Sequence, residues 1–202
     1  MACPRRFWSS ALTFAQLRMT NACWRWKTFA RCLIFHRRPN DGTIERLARA
    51  LRGLSTSPNA DLLILMKRVL FAWLIADGDM HLKNMAALKI AEPGYPAFRS
   101  VRLAPVYDTL TTRVFPRLEH DRMALKLNGK DERLKRADFL AVSAIAGLRA
   151  SDTHAAIDEV LQRMRAAVAA ITLPRLPNYR PSGEAAATQT LEICRERIAS
   201  FV

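Results

Sequence analysis

The sequence predicts a mainly α-helical body that carries short β-hairpins. Three observations lead there. From Thr43 to the C-terminus, apolar residues recur at helical spacing. One of these stretches is apolar nearly all round, as a helix at the centre of an α-rich body must be. The stretches with strand character are short and bounded by turn residues. A chain of 202 residues suffices for one sizeable core, or for one lobe of a two-lobed enzyme.

The elements are expected in the following order. Residues 1–41 form an atypical segment: its first 40 positions hold eight Lys or Arg, no Asp or Glu, three of the four Trp and three of the four Cys. A boundary is expected at Pro39-Asn40-Asp41-Gly42, with a second unit over 42–202. A mis-assigned start, or an upstream part lost to a frameshift, explains the first segment better than an organellar targeting peptide does, because Trp and Cys fit the latter poorly. Ile44, Leu47, Ala48 and Leu51 then predict a helix that Gly53 ends. Asn59 or Asp61 is suited to cap the next helix, from about Leu62 to Ala76. Leu62, Leu63, Leu65, Met66, Val69, Leu70, Trp73 and Leu74 make this helix apolar on most sides. It runs directly into Asp77-Gly78-Asp79. Met85–Ile90 and Val101–Val106 read as strands around Glu92-Pro93-Gly94, and Met123–Leu127 as a third before the turn signal Asn128-Gly129. Helices are expected at Asp138–Leu148, from a Ser151 or Asp152 cap through Ile171, and, past a connector with Pro174, Pro177 and Pro181, at Gly183–Val202.

Composition narrows the function classes. No apolar run reaches the ~20 residues needed to span a bilayer, so no membrane role is expected. Four cysteines without a CxxC pair, and no His at zinc-ligand spacing, argue against a structural zinc site. Free thiols in a soluble cytoplasmic protein are the expectation. The formal net charge of +14 suits phosphate-bearing partners, and equally a solvated surface. Direct binding of DNA or RNA is a secondary hypothesis, since aromatic and basic residues interleave only in the first 40 positions.

The chemistry concentrates in Asp79-Met80-His81-Leu82-Lys83-Asn84 and in Tyr107-Asp108. An Asp followed five residues later by an Asn, and then by a second Asp past a hairpin, is the layout of protein-kinase-like phosphoryl transfer. Asp79 would accept the proton of the attacking hydroxyl. Lys83 could contact the transferred phosphoryl group, and Asn84 and Asp108 could hold magnesium ions. Asp77, His81 and Tyr107 are supporting candidates, His81 as a residue that orients the loop. Asp77 and Asp79 can also be read as turn residues around Gly78. An Asp77/Asp79/His81 metal cluster is a weaker alternative, because His36, His120 and His154 are scattered.

The stretch Phe71–Asn84 resembles the catalytic loop of HipA-type serine/threonine kinases. Leu103–Leu110, continuing Thr112-Arg113-Val114-Phe115-Pro116, is similar to the metal-binding segment of that family, and Ala124–Lys130 to one of its hairpins. The resemblance covers about residue 42 to the C-terminus and implies the mostly helical C-terminal lobe of a protein-kinase-like fold. It implies Asp79 as general base, Asn84 and Asp108 as magnesium ligands, and Lys83 as a phosphate contact. It also implies ATP and Mg2+ as cofactors, and the toxin role of a bacterial toxin–antitoxin pair. The implied partners are an antitoxin of the HipB type, DNA only through that antitoxin, and a protein substrate of the aminoacyl-tRNA synthetase class. The chain shows no Gly-rich loop for nucleotide phosphates, and Lys27 and Lys67 are expected to lack a strand context. A separate N-lobe polypeptide is therefore a further expected partner. The alternative is a truncated, inactive remnant that only binds an antitoxin or nucleic acid.

Overall fold

A computed structural model describes residues 23–28, 42–91, 98–172 and 181–201. Among these residues three strands and five helices are formed: β1 Cys23–Thr28, α1 Ile44–Leu54, α2 Pro58–Leu74, β2 Ala86–Ala91, β3 Phe98–Leu103, α3 Arg136–Ile145, α4 Ala150–Ala170 and α5 Pro181–Ser200. The expected mainly helical architecture is present. Helix α2 packs against α1, α4 and α5, and its Leu62, Leu65, Met66, Val69, Leu70 and Leu74 are buried. A helix apolar on most faces takes the centre because only there do all those faces leave water.

The ends of the elements follow local chemistry. Thr43 caps α1 by accepting the Arg46 N–H at 3.3 Å. Helix α1 runs one residue past Gly53, because the turn that stops it is made by Ser55 in extended conformation. Helix α2 begins earlier than the sequence suggests. Pro58 takes the first turn behind Ser57, a position that suits its missing N–H.

Asp61 is consequently not a cap but a buried acceptor. Its Oδ2 receives Ser55 Oγ at 2.6 Å and Leu103 N at 2.9 Å, and its Oδ1 receives Arg102 Nε at 3.0 Å. One carboxylate thereby ties the start of α2 to the last residues of β3.

The sheet is antiparallel in the order β1-β2-β3. Cys23 pairs with Ala91 and Thr28 with Ala86 on one side of β2, and Ala87 pairs with Leu103 on the other. Two of the expected strands shift. β3 ends at Leu103, and Val106 beyond it is 53 % exposed. Met123–Leu127 yields only single bridges, Thr43 to Lys126 and Leu127 to Lys130. Lys27 does have a strand context, because it lies in β1 opposite Ala87. The expected turn residues Glu92-Pro93-Gly94, together with Pro174 and Pro177, lie outside the described residues.

The Asn128-Gly129 turn has φ of 51° and 75° at its two central positions, the left-handed pair that a two-residue hairpin requires. Its anchor is Asp138, buried in the first turn of α3. Asp138 accepts Lys130 Nζ at 2.8 Å, Asn128 Nδ2 at 2.9 Å and Lys135 N at 2.9 Å. The bond to Lys135 N is the carboxylate half of a capping box. Helix α4 starts behind Arg149, with no side-chain cap from Ser151 or Asp152. Helix α5 starts at Pro181 and closes the bundle. Phe201, just beyond it, meets the rings of Trp73 and Phe139 with centroids 5.5 and 5.7 Å apart. Cys194 on α5 is a buried free thiol.

Burial by itself would raise the Asp138 carboxyl, but the bonds from Lys130, Asn128 and Lys135 outweigh it and hold it below the usual range. Its contribution to stability is therefore present above the ordinary carboxylate pKa of about 3.9 and disappears as pH falls through the lower folded value. Asp138→Asn should cost about 1.5–3 kcal/mol at neutral pH, as expected for hydrogen bonds to a charged group. Urea unfolding of both proteins should show that difference shrinking toward pH 2. A difference independent of pH would assign it to packing instead.

Candidate active site

The site begins where α2 stops. Ala76 adopts φ of 56°, and two reversed hydrogen bonds close the helix: Asp77 N to Ala72 O at 2.9 Å and Ala76 N to Trp73 O at 3.1 Å. This is the Schellman arrangement, with alanine at the left-handed position where glycine is usual. Arg197 of α5 donates to the same Trp73 carbonyl and stacks over the Trp73 ring at 5.0 Å. The helix end is thus held from two directions.

The reversal places Asp77 in the interior and Asp79 at the surface. Asp77 is buried, and its Oδ1 accepts the Asp79 N–H at 3.1 Å. The Asp79 side chain is 54 % exposed. Its backbone carbonyl receives His81 N at 2.8 Å and Asn84 Nδ2 at 2.8 Å. The Asn84 amide nitrogen is committed to that bond, which leaves the amide oxygen as the atom suited to a cation. His81 works mainly through its backbone. Its Nε2 is 3.8 Å from Asp79 Oδ1, too long for a hydrogen bond, and its Nδ1 is buried with no partner among the described residues.

The second segment approaches from beyond β3. Tyr107 donates its hydroxyl to Lys83 O at 2.6 Å, so it fixes the backbone of the residue read as a phosphate contact. Lys83 and Asp108 are exposed. Asp108 has φ of 53°, a conformation that Asp tolerates better than most residues.

Thr112 adds a contact that no motif in the sequence marks. Its Oγ1 accepts Gly78 N at 3.1 Å and donates to Ala76 O at 3.2 Å, and its backbone N donates to that same oxygen at 3.1 Å. Asp121 lies against the same glycine. A Cβ at Gly78 would fall 2.0 Å from Asp121 Oδ2 and 2.7 Å from Thr112 Oγ1, so any larger residue there would displace the Asp121 carboxylate and the Thr112 clamp. Nothing local in the sequence signals these contacts, which join residues more than 30 positions apart.

The electrostatics follow from this convergence. Burial first, and then the charges of Asp79 and Asp108, push the Asp77 carboxyl up to about 7, although backbone N–H bonds at Asp79 and Leu110 oppose the rise. The loop and the Asp108 segment therefore share a region of uncompensated negative potential. Among the described residues no three His, Cys, Asp or Glu side chains gather as a self-contained metal cage. Oxygen ligands from Asn84 and Asp108, completed by water and phosphate oxygens, match the sparse protein coordination that magnesium accepts.

The HipA-like C-terminal domain matches residues 14–168. The chain belongs to the HipA-like C-terminal domain family. It resembles the HipA chain of a Shewanella oneidensis toxin–antitoxin structure containing HipA, HipB and operator DNA. That likeness has a TM-score of 0.64 at 17 % identity and covers 79 % of this chain and 35 % of that one. The protein named "Putative kinase Y4dM" from Sinorhizobium fredii is 39 % identical over 71 residues, 35 % of this chain and 15 % of that protein. The chain thus spans about a third of the solved relative, and the match to Y4dM covers a smaller part still. The HipA-like lobe expected from Phe71–Asn84 and Leu103–Pro116 is the fold observed. Among the described residues, no helix is long and apolar enough to cross a membrane.

The unfolded carboxylate pKa is about 3.9, and the folded Asp77 value is about 7. A raised carboxyl weakens the fold as pH climbs through that window. Asp77→Asn should accordingly melt at nearly the wild-type temperature at pH 4. Its advantage should grow up to pH 7 and stay level above. Thermal melts across this range check the sign, and an advantage largest in acid would refute it.

Proposed function

We propose that this chain is the catalytic lobe of a HipA-like serine/threonine protein kinase. The observation that carries the reading is the delivery of Asp79, Lys83 and Asn84 from one fixed helix end, beside a strained Asp108. In this reading the exposed Asp79 carboxylate accepts the proton of a protein Ser or Thr hydroxyl. The hydroxyl oxygen bonds to the γ-phosphorus of ATP as the bridge to the β-phosphate breaks. Lys83 meets the transferred group, its backbone set by Tyr107. Asn84 and Asp108 would hold Mg2+, which supplies charge neutralisation on the outer phosphates. Asp77 holds Asp79 by its backbone, and Thr112 keeps Gly78 and Ala76 in register with the Asp108 segment.

By family resemblance the acceptor is a protein of the aminoacyl-tRNA synthetase class. The restraining partner is a HipB-type antitoxin, through which any contact with DNA would run. A separate N-lobe polypeptide would complete the nucleotide cover. The HipA–HipB–DNA composition of the structural relative supports the antitoxin part of this reading.

Calorimetric titration with Mg-ATP is the direct test. Binding is expected to vanish in Asp108→Ala and to survive in Asp79→Asn. Phosphate transfer to a protein acceptor, assayed with the N-lobe present, should fall about 10²–10⁴-fold in Asp79→Asn, the range for losing a general base. Mg-ATP binding indifferent to Asp108 would overturn the metal assignment. Transfer unaffected by Asp79→Asn would overturn the assignment of the base.

A further inference from the structure

We propose that the groove beside the catalytic loop docks an acidic segment of the protein that receives the phosphoryl group. The proposal rests on the kinase reading for the identity of that protein, but not for the existence of the site. The groove has a volume of about 740 Å³, and Arg113, Arg122, Lys130 and Arg133 line it together with Asp131 and Glu132.

It is linked to the site through Arg113 and Asp121. Arg113 directly follows the Thr112 clamp, and its Nε donates to Asp121 O at 2.8 Å. The Asp121 carboxylate in turn lies against Gly78. Asp121 thus connects the groove residue Arg113 to the glycine that precedes Asp79.

The cations differ in how far they are already satisfied. Arg113 pairs with Glu132, which also holds Arg197. Lys130 pairs with the buried Asp138. Arg122 is 65 % exposed and only 3.5 Å from Asp131, a loose surface contact of small worth. Arg133 is exposed and held at φ of 52°, with no ion-pair or hydrogen-bond partner among the described residues. Two of the four cations therefore have capacity for an incoming carboxylate.

The lining also decides what kind of anion fits. A nucleic-acid strand presents phosphate at every residue and would meet Asp131 and Glu132 as well as the arginines. A peptide with spaced Asp or Glu can set its charges on Arg122 and Arg133 and avoid those acids. The segment between Arg113 and His120 adds Phe115 and Leu118, 49 % and 41 % exposed. These offer apolar contact of a kind a peptide can return and a phosphate backbone cannot.

Fluorescence anisotropy on the full chain tests this without ATP. The probes are a labelled serine peptide flanked by Glu and Leu, the same peptide with Gln for Glu, and a single-stranded DNA competitor. The acidic peptide should bind about tenfold tighter than its Gln twin, a difference of about 1.4 kcal/mol. That preference should shrink with added salt, and Arg122→Glu/Arg133→Glu should abolish it while leaving Mg-ATP affinity unchanged. Equal affinity for the two peptides would overturn the proposal, as would an unchanged preference in the variant. DNA that binds more tightly than the acidic peptide and loses affinity in the same variant would overturn it too, by making the groove a nucleic-acid surface. If the double variant does not melt cooperatively, Arg122→Gln takes its place, and the salt and charge dependence of the unaltered protein still decides. Mg-ATP titration reports separately on the kinase reading, so either can fail alone.

Discussion

The termination of α2 is the constraint on which the rest of the site depends. A helix apolar on most faces can sit only at the centre of the bundle, so its C-terminal end is fixed by the packing of α1, α4 and α5 around it. The left-handed turn at Ala76 converts that fixed end into a fixed loop. A non-glycine residue in this conformation costs about 1–2 kcal/mol, which the flanking bonds to Ala72 O and Trp73 O and the hold of Arg197 on the same carbonyl must offset. Strain sustained at this point has a structural result. Two positions apart in the loop, Asp77 turns into the core and Asp79 out to solvent.

A second consequence is electrostatic. Burying Asp77 beside two exposed carboxylates raises its pKa toward neutrality, a cost to folding that an ordinary turn would not carry. Such arrangements cluster where a cation or a proton is handled. The neighbouring donors are oxygen atoms and an amide rather than imidazole or thiolate, which favours a hard ion over zinc. The chemistry of the donor set, the perturbed acid and the strained Asp108 point in one direction. None of them alone would carry the argument.

The parts legible in the sequence were those written in local pattern. The all-round apolar run of α2, the Asn128-Gly129 turn and the order of loop, strand and Asp108 segment could be read because each is encoded within a few residues of itself. The misreadings occurred where long-range contacts override local preference. Asp61 looks like a cap but is claimed by Arg102 and Leu103, some 40 positions away. Met123–Leu127 has strand composition, yet its partners are the start of α1 and a tight turn, which allow bridges and not a ladder. Lys27 gains a strand context only because β2 offers it an edge. Thr112 was invisible for the same reason, since a threonine 34 residues from the glycine it clamps leaves no periodic trace.

These placements divide the site into a part that must be rigid and a part that must accept variety. Phosphoryl transfer is chiefly positioning and charge neutralisation, and a displacement of about 1 Å can cost 10²-fold. The groups read as acting on phosphate are accordingly anchored through the backbone: Asp79 by Asp77 and Asn84, and Lys83 by Tyr107. The groove beside them is built differently. Its arginines project from loop segments, and two of them are loosely held or unpartnered among the described residues. Long cationic side chains on short loops can adjust to a partner's carboxylates without disturbing the helix end. Thr112 stands between the two parts, bonded to the catalytic loop on one side and followed by Arg113 of the groove on the other. Movement of the groove segment on binding would therefore reach Gly78 and the Asp79 loop through Thr112 and through Asp121, which lies against the same glycine.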